Sequence, residues 1–246
     1  MRFLAPVLLF ALLNAPAFAR EALPTGFVFL RDIDPTIVQD IRYASVNNFT
    51  GRPLPGYGGS ECVLKRDVAL ALAKVQTDLA REDLGLKVYD CYRPARATRA
   101  MLRWAGEAET GATKRFYPAL EKRALFSGYI SGYSLHATGI AVDLTLLKLP
   151  PSAAAAFDPT TRYGACTAPA PARAPDNSLD MGTGFDCFDG KSSSFASNIS
   201  ADAAHARATL VAAMRKHGFR NYFREWWHFS YGSAPAQHHD FDIPPR

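Results

Sequence analysis

Apolar residues in Asp67–Arg81 recur every three to four positions, with Val68, Leu72, Val75 and Leu79 on one face. That spacing predicts an amphipathic helix. Gly85 ends the unit, and the short apolar run Leu86–Tyr92 reads as a strand. Pro94 suits the first turn of a second helix, running through about Ala105. The residue before a proline is pushed out of helical geometry. Arg93 is therefore expected to project from the strand-to-helix junction. Ile140–Leu147 is a second apolar strand, broken by one acid, Asp143. Ala203–His217 predicts a helix with Leu210, Val211 and Met214 on one face and Gly218 just past its end. The aromatic-rich stretch Arg224–Tyr231 reads as a third strand.

Between these elements, residues 43–60 are rich in Gly, Pro and Asn and read as loop. Pro150–Pro175 holds six prolines, too many for one helix, and is expected to run irregularly over the surface. There is no internal repeat and no clear linker. Helices and strands follow one another without the regular alternation of a parallel sheet. The expectation is an α+β fold, a single domain with a central, mostly antiparallel sheet flanked by helices.

The extreme N-terminus differs from the rest. Met1-Arg2 precedes the apolar run Phe3–Leu13, and Ala17-Phe18-Ala19 follows. A positive start, a short apolar run and A-x-A read as a secretory signal peptide cut after Ala19. The domain would then be residues 20–246, exported to the periplasm or secreted. No run reaches the roughly 18–20 apolar residues of a membrane span, so none is expected after signal removal. The formal net charge of +5 is mild and no Lys/Arg-rich run occurs, which argues against a nucleic-acid partner. Nothing in the sequence sets an oligomeric state.

Export changes the reading of Cys62, Cys91, Cys166 and Cys187. None forms a C-x-x-C pair, so a Cys-based zinc site is disfavoured and disulfides are favoured. Of three connectivities, Cys62–Cys91 with Cys166–Cys187 is preferred, because the second pair brackets one irregular segment.

Four of the six histidines have ordinary explanations. His217 sits in a last helical turn, His205 on a solvated face, and His238 and His239 in a polar tail able to chelate adventitious metal. His136 and His228 differ. His136 lies seven residues before Asp143, a carboxylate inside an apolar strand that requires a cation, donors or a metal. His228 lies among aromatics, three residues after Glu225. Two His and one Asp make a catalytic zinc set, with one position left for water. In flat strands His136 and Asp143 would face opposite sides, as would Glu225 and His228. The set therefore requires a turn near Gly139 and a bend near Glu225, for which no marker is visible. Given such a zinc, Glu225 is the candidate general base and acid, and Arg93 the candidate oxyanion stabiliser. A structural ion pair with Asp90 is the other reading of Arg93.

Ser134–Asp143 fits S-x-H-x-x-G-x-A-x-D, and Glu225–His228 fits E-x-W-H. Together they resemble the zinc peptidases of peptidoglycan stems, and more closely the D-alanyl-D-alanine dipeptidase branch known from vancomycin resistance. Tyr43-Ala44 with Asn48–Gly51, Asp90–Pro94 and Met181–Asp186 also resemble that branch, with Cys91 where it has glycine. The resemblance runs from about Gly26 to about Phe241. It implies one Zn2+ per chain held by His136, Asp143 and His228. It implies catalysis by Glu225 with Arg93, and a small dipeptide held by Tyr43, Ser134 and Asp186. The alternatives are a zinc carboxypeptidase or endopeptidase acting on stem peptides, and a non-catalytic zinc-binding cell-wall module. The long Pro/Ala-rich segment before Asp186 departs from the branch.

Overall fold

The computed structural model describes residues 22–126, 128–153, 155–232 and 237–246, so the signal-peptide reading of Met1–Ala19 lies outside the described residues. Among the described residues, no helix is long and apolar enough to cross a membrane.

The chain opens with β1 (Phe27–Phe29), the short α1 (Leu30–Ile33) and β2 (Val38–Gln39). Then follow β3 (Val63–Lys65), α2 (Arg66–Ala80), β4 (Leu84–Asp90) and α3 (Ala95–Gly106). The second half holds β5 (Ala141–Lys148), α4 (Ala201–Lys216), β6 (Phe219–Asn221) and β7 (His228–Tyr231). Strands β1 and β3 pair by themselves, and the central sheet has the order β2-β4-β5-β7-β6. All its pairs are antiparallel except β2–β4. This is the expected single α+β domain with a mostly antiparallel sheet.

Helix α2 buries Val68, Leu72, Val75 and Leu79, the face its periodicity marks. It packs on β4 and on α4, which also lies against β5 and β6. Strand β4 is buried on both faces, so even Lys87 is only 1% exposed. A buried ammonium requires partners. Lys87 finds them in the Asp176 carboxylate and the Asn177 side-chain oxygen. Both preferred disulfides, Cys62–Cys91 and Cys166–Cys187, are formed. Among its described residues, Pro150–Pro175 carries one short helical turn, Ala170–Ala172, in keeping with its proline content.

One reading is corrected. The strand expected over Arg224–Tyr231 begins only at His228. Residues 222–227 are the turn that joins β6 to β7. The Asn221 side-chain amide closes it by donating to the carbonyls of Glu225 and His228 at 3.1 and 3.0 Å. The polar tail with His238 and His239 is docked on the domain. The His239 amide donates to the Ala137 carbonyl at 2.8 Å, and its carbonyl accepts from the Ala95 amide at 3.1 Å.

Candidate active site

Three pieces of backbone converge at the centre of the sheet. Leu135–Thr138 is a single helical turn stopped by Gly139, whose φ of 78° is the left-handed conformation glycine adopts readily. This turn aims His136 at the same side as Asp143 on β5. Across the ladder, Asp143 is the direct partner of His228 on β7. The hairpin turn at 222–227 lets Glu225 reach the same space. Both bends required by the sequence are present, and Asn221 is the marker that betrays the second.

The ligand-type atoms are close. His228 Nδ1 is 2.9 Å from Asp143 Oδ1 and 3.1 Å from His136 Nε2, and His136 Nε2 is 3.3 Å from Asp143 Oδ1. These three ligand-type atoms lie close enough together to share one cation. A tetrahedral ion with bonds of roughly 2.0–2.1 Å spaces its ligand atoms about 3.4 Å apart. The group therefore fits a metal of zinc size. His136 and Asp143 are buried. The other ring nitrogen of His136, Nδ1, lies 2.7 Å from the Cys91 carbonyl, and donating its proton there leaves Nε2 as the free acceptor.

A register shift in β4 between Val88 and Asp90 sets Asp90 opposite Asp143. Like charges directly opposite are destabilising, so cations must intervene. Arg93 does so. Its Nε and Nη2 lie 2.9 and 2.8 Å from Asp90 Oδ2, and Nη2 lies 3.6 Å from Asp143 Oδ2. The Tyr57 hydroxyl donates to Asp90 Oδ1 at 2.6 Å. Burial works against the Arg93 charge, but Asp90, Tyr43, Tyr57 and Asp143 together outweigh it and raise the pKa well above the usual arginine value. Arg93 thus has both features weighed in the sequence, the ion pair with Asp90 and a place beside the metal group.

A cavity of about 660 Å³ joins these groups. Tyr43, Arg93, Ser134, His136, Asp143, Asp186, Glu225 and His228 all line it. Burial first, then the Asp143 carboxylate, pushes Glu225 up to about 7, against the pull of His228 and Arg93. Asp186 has a φ of 56°, a strained backbone for any residue but glycine, though among those Asp tolerates best. Its carboxylate accepts from the Tyr43 hydroxyl at 2.9 Å, yet no cationic side chain among the described residues pairs with it. Burial and Asp143 push its pKa well above the carboxylate range.

The sequence named Asp90 only as an ion-pair partner for Arg93 and gave it no place at the site. Asp90, fully buried, orients Arg93 and stands 3.3 Å from His136 Nδ1. Its position three residues before Arg93 at a strand end was the available signal. The aromatic rim Phe126, Tyr129 and Tyr133 also lines the cavity, and no pattern in the sequence marks it.

A buried His-Asp-His group, a carboxylate with raised pKa and an anchored guanidinium around one cavity make up the apparatus of a metallopeptidase. The D-Ala-D-Ala dipeptidase family model matches residues 24–156 and 153–244, and the chain belongs to that family. It is 32% identical to a D-alanyl-D-alanine dipeptidase of Enterococcus faecium, over 90% of this chain and 98% of that protein. It is also 32% identical to one of Streptomyces coelicolor, over 89% and 97% respectively. A D-alanyl-D-alanine dipeptidase of Escherichia coli is 29% identical, over 86% and 88%.

Proposed function

We propose that the protein is an exported zinc dipeptidase that hydrolyses D-alanyl-D-alanine to two D-alanines. The observation that carries the choice of a free dipeptide is Asp186. It is a buried carboxylate without a cationic partner among the described residues, hydrogen-bonded by Tyr43 in the cavity of the metal group. A substrate ammonium supplies the missing counter-charge, and burial makes the pair selective for an unblocked amino end. The names of the relatives support the D-alanyl-D-alanine identity.

His136, Asp143 and His228 would hold one Zn2+, which supplies Lewis acidity that polarises the peptide carbonyl and lowers the pKa of water. Glu225 takes the proton of the attacking water and delivers it to the leaving amine. A carboxylate with a pKa of about 7 suits both transfers at neutral pH. Arg93, fixed by Asp90, which Tyr57 in turn holds, offers its guanidinium to the developing oxyanion. Ser134 offers a hydroxyl to the substrate backbone. Export through a signal at residues 1–19, with residues 20–246 as the mature domain in the periplasm or outside the cell, agrees with two disulfides. The dipeptide would then come from peptidoglycan metabolism.

The test is incubation of the zinc-loaded mature protein with D-Ala-D-Ala, L-Ala-L-Ala, N-acetyl-D-Ala-D-Ala and a D-Ala-D-Ala-terminated pentapeptide. Cleavage confined to the free D,D-dipeptide is expected. Cleavage of the pentapeptide alone would establish a carboxypeptidase instead. Zinc binding without any hydrolysis would establish a non-catalytic module.

A further inference from the structure

A second cavity, of about 710 Å³, lies back to back with the first. Neighbouring residues face opposite ways across the partition. Arg42 lines the second cavity and Tyr43 the first, and Phe185 lines the second and Asp186 the first. Tyr89, stacked on Phe185 with ring centroids 4.5 Å apart, thickens this wall. The outer wall is the Pro/Ala-rich segment, tied down by Cys166–Cys187.

The charges in the second cavity do not balance. Four arginines (Arg42, Arg115, Arg162 and Arg173) face two aspartates, Asp176 and Asp180. Both acids are taken. Asp176 accepts from Arg42 at 2.8 Å, from the Tyr89 hydroxyl at 2.7 Å and from Lys87. Asp180 is held by Arg173 and by the Gly182 amide at 2.8 Å.

Arg115 has no such partner. It is half-buried, with its guanidinium 4.5 Å from the Phe116 ring centre and 5.3 Å from that of Phe157. No carboxylate among the described residues pairs with it. Burial and the charge of Arg42 hold its pKa below the usual arginine value, whereas Asp40 and Asp176 raise that of Arg42. Arginine does not give up its proton in proteins, so Arg115 stands as a partly desolvated charge without an anion.

We propose that this second cavity binds a small carboxylic acid with an apolar body and no free ammonium, its carboxylate on Arg115. A planar guanidinium matches a carboxylate with two parallel hydrogen bonds. Phe116, Phe185, Met181 and Pro171 offer the apolar walls. An ammonium is excluded because both aspartates are already neutralised. The site is separate from the metal group and takes the opposite kind of ligand end from Asp186.

The test is calorimetric titration of the zinc-loaded mature protein with phenylacetate, N-acetyl-D-alanine, benzylamine and inorganic phosphate. The two acids represent a free acid and a peptide-like acid, and the tighter one identifies the source. One saturable carboxylate site is expected, with no binding of benzylamine. Arg115→Gln is expected to weaken it by about tenfold or more, since a charge-assisted pair is lost. Arg115→Lys is expected to weaken it less. The thermal midpoint of each variant reports that it is folded, and dipeptide turnover by Arg115→Gln should be unchanged. Equal affinity in Arg115→Gln, equal binding of benzylamine, tighter binding of phosphate, or no saturable acid binding would each overturn the proposal. The binding readouts need no turnover, so they stand or fall independently of the dipeptidase reading.

Discussion

Asp143 on β5 stands directly opposite His228 on β7, with Oδ1 of the carboxylate 2.9 Å from Nδ1 of the ring. The pair is two of the three residues of the candidate metal group, which His136 completes. Asp143→Ala removes one ligand and leaves Arg93 facing two imidazoles. Metal content measured after dialysis is expected to fall from one zinc per chain to none, with loss of turnover. Full zinc retention would remove Asp143 from the ligand set.

Glu225 has no place in the metal group and lines the same cavity. Glu225→Ala is therefore expected to keep zinc and lose turnover by about 10²–10⁴-fold, the usual contribution of a positioned acid–base group. Zinc analysis beside steady-state kinetics separates the two effects. Wild-type kcat in this variant would exclude Glu225 as the proton carrier.

Asp176 is the site of an acid-dependent stability term. Burial acts to raise its pKa, but Arg42 and Lys87 outweigh burial and hold it well below the carboxylate range. A depressed native pKa contributes stability that is fully present above the unfolded value of about 3.9 and is lost progressively as pH falls below it through the lower native value. Asp176→Asn leaves the buried Lys87 without its carboxylate and Arg42 with Asp40 alone, at a cost of about 3 kcal/mol near neutrality. Urea unfolding at pH 7, 5 and 3 should show the wild type approaching the variant at low pH. A gap that is constant with pH would contradict the ion-pair account.

The Cys62–Cys91 disulfide closes a loop with a sequence separation of 29 residues, worth about 3.5 kcal/mol in the chain-entropy model. Cys91 also provides the carbonyl that orients His136. The Cys62→Ser, Cys91→Ser double variant is expected to melt lower and to bind zinc about 10–100-fold more weakly, the range typical of a lost outer contact. Weaker melting with unchanged zinc affinity would show that the carbonyl holds its place without the crosslink.

Much of the scaffold was legible because periodicity reports burial. The face of α2 through Val68, Leu72, Val75 and Leu79, the strand around Asp143 and the proline-rich excursion all follow from local pattern. The aromatic run at Arg224–Tyr231 misled for the same reason. Trp226 and Trp227 are buried, as strand residues would be, but they sit in a turn that Asn221 closes. The short strands β1, β2, β3 and β6 carry too few residues for a period to emerge.

By itself the sequence singled out His136, Asp143, Glu225 and His228 as candidates, because they sit in local motifs whose spacing is visible along the chain. Only the tertiary structure decided that they share a cavity with Tyr43, Arg93, Ser134 and Asp186. His136 and His228 are 92 positions apart, and Tyr43 and Asp186 are 143 apart. Such meetings depend on strand register and on the direction of two turns, which are set by long-range pairing. Side-chain periodicity reports which face is buried, and it carries no information about what that face meets.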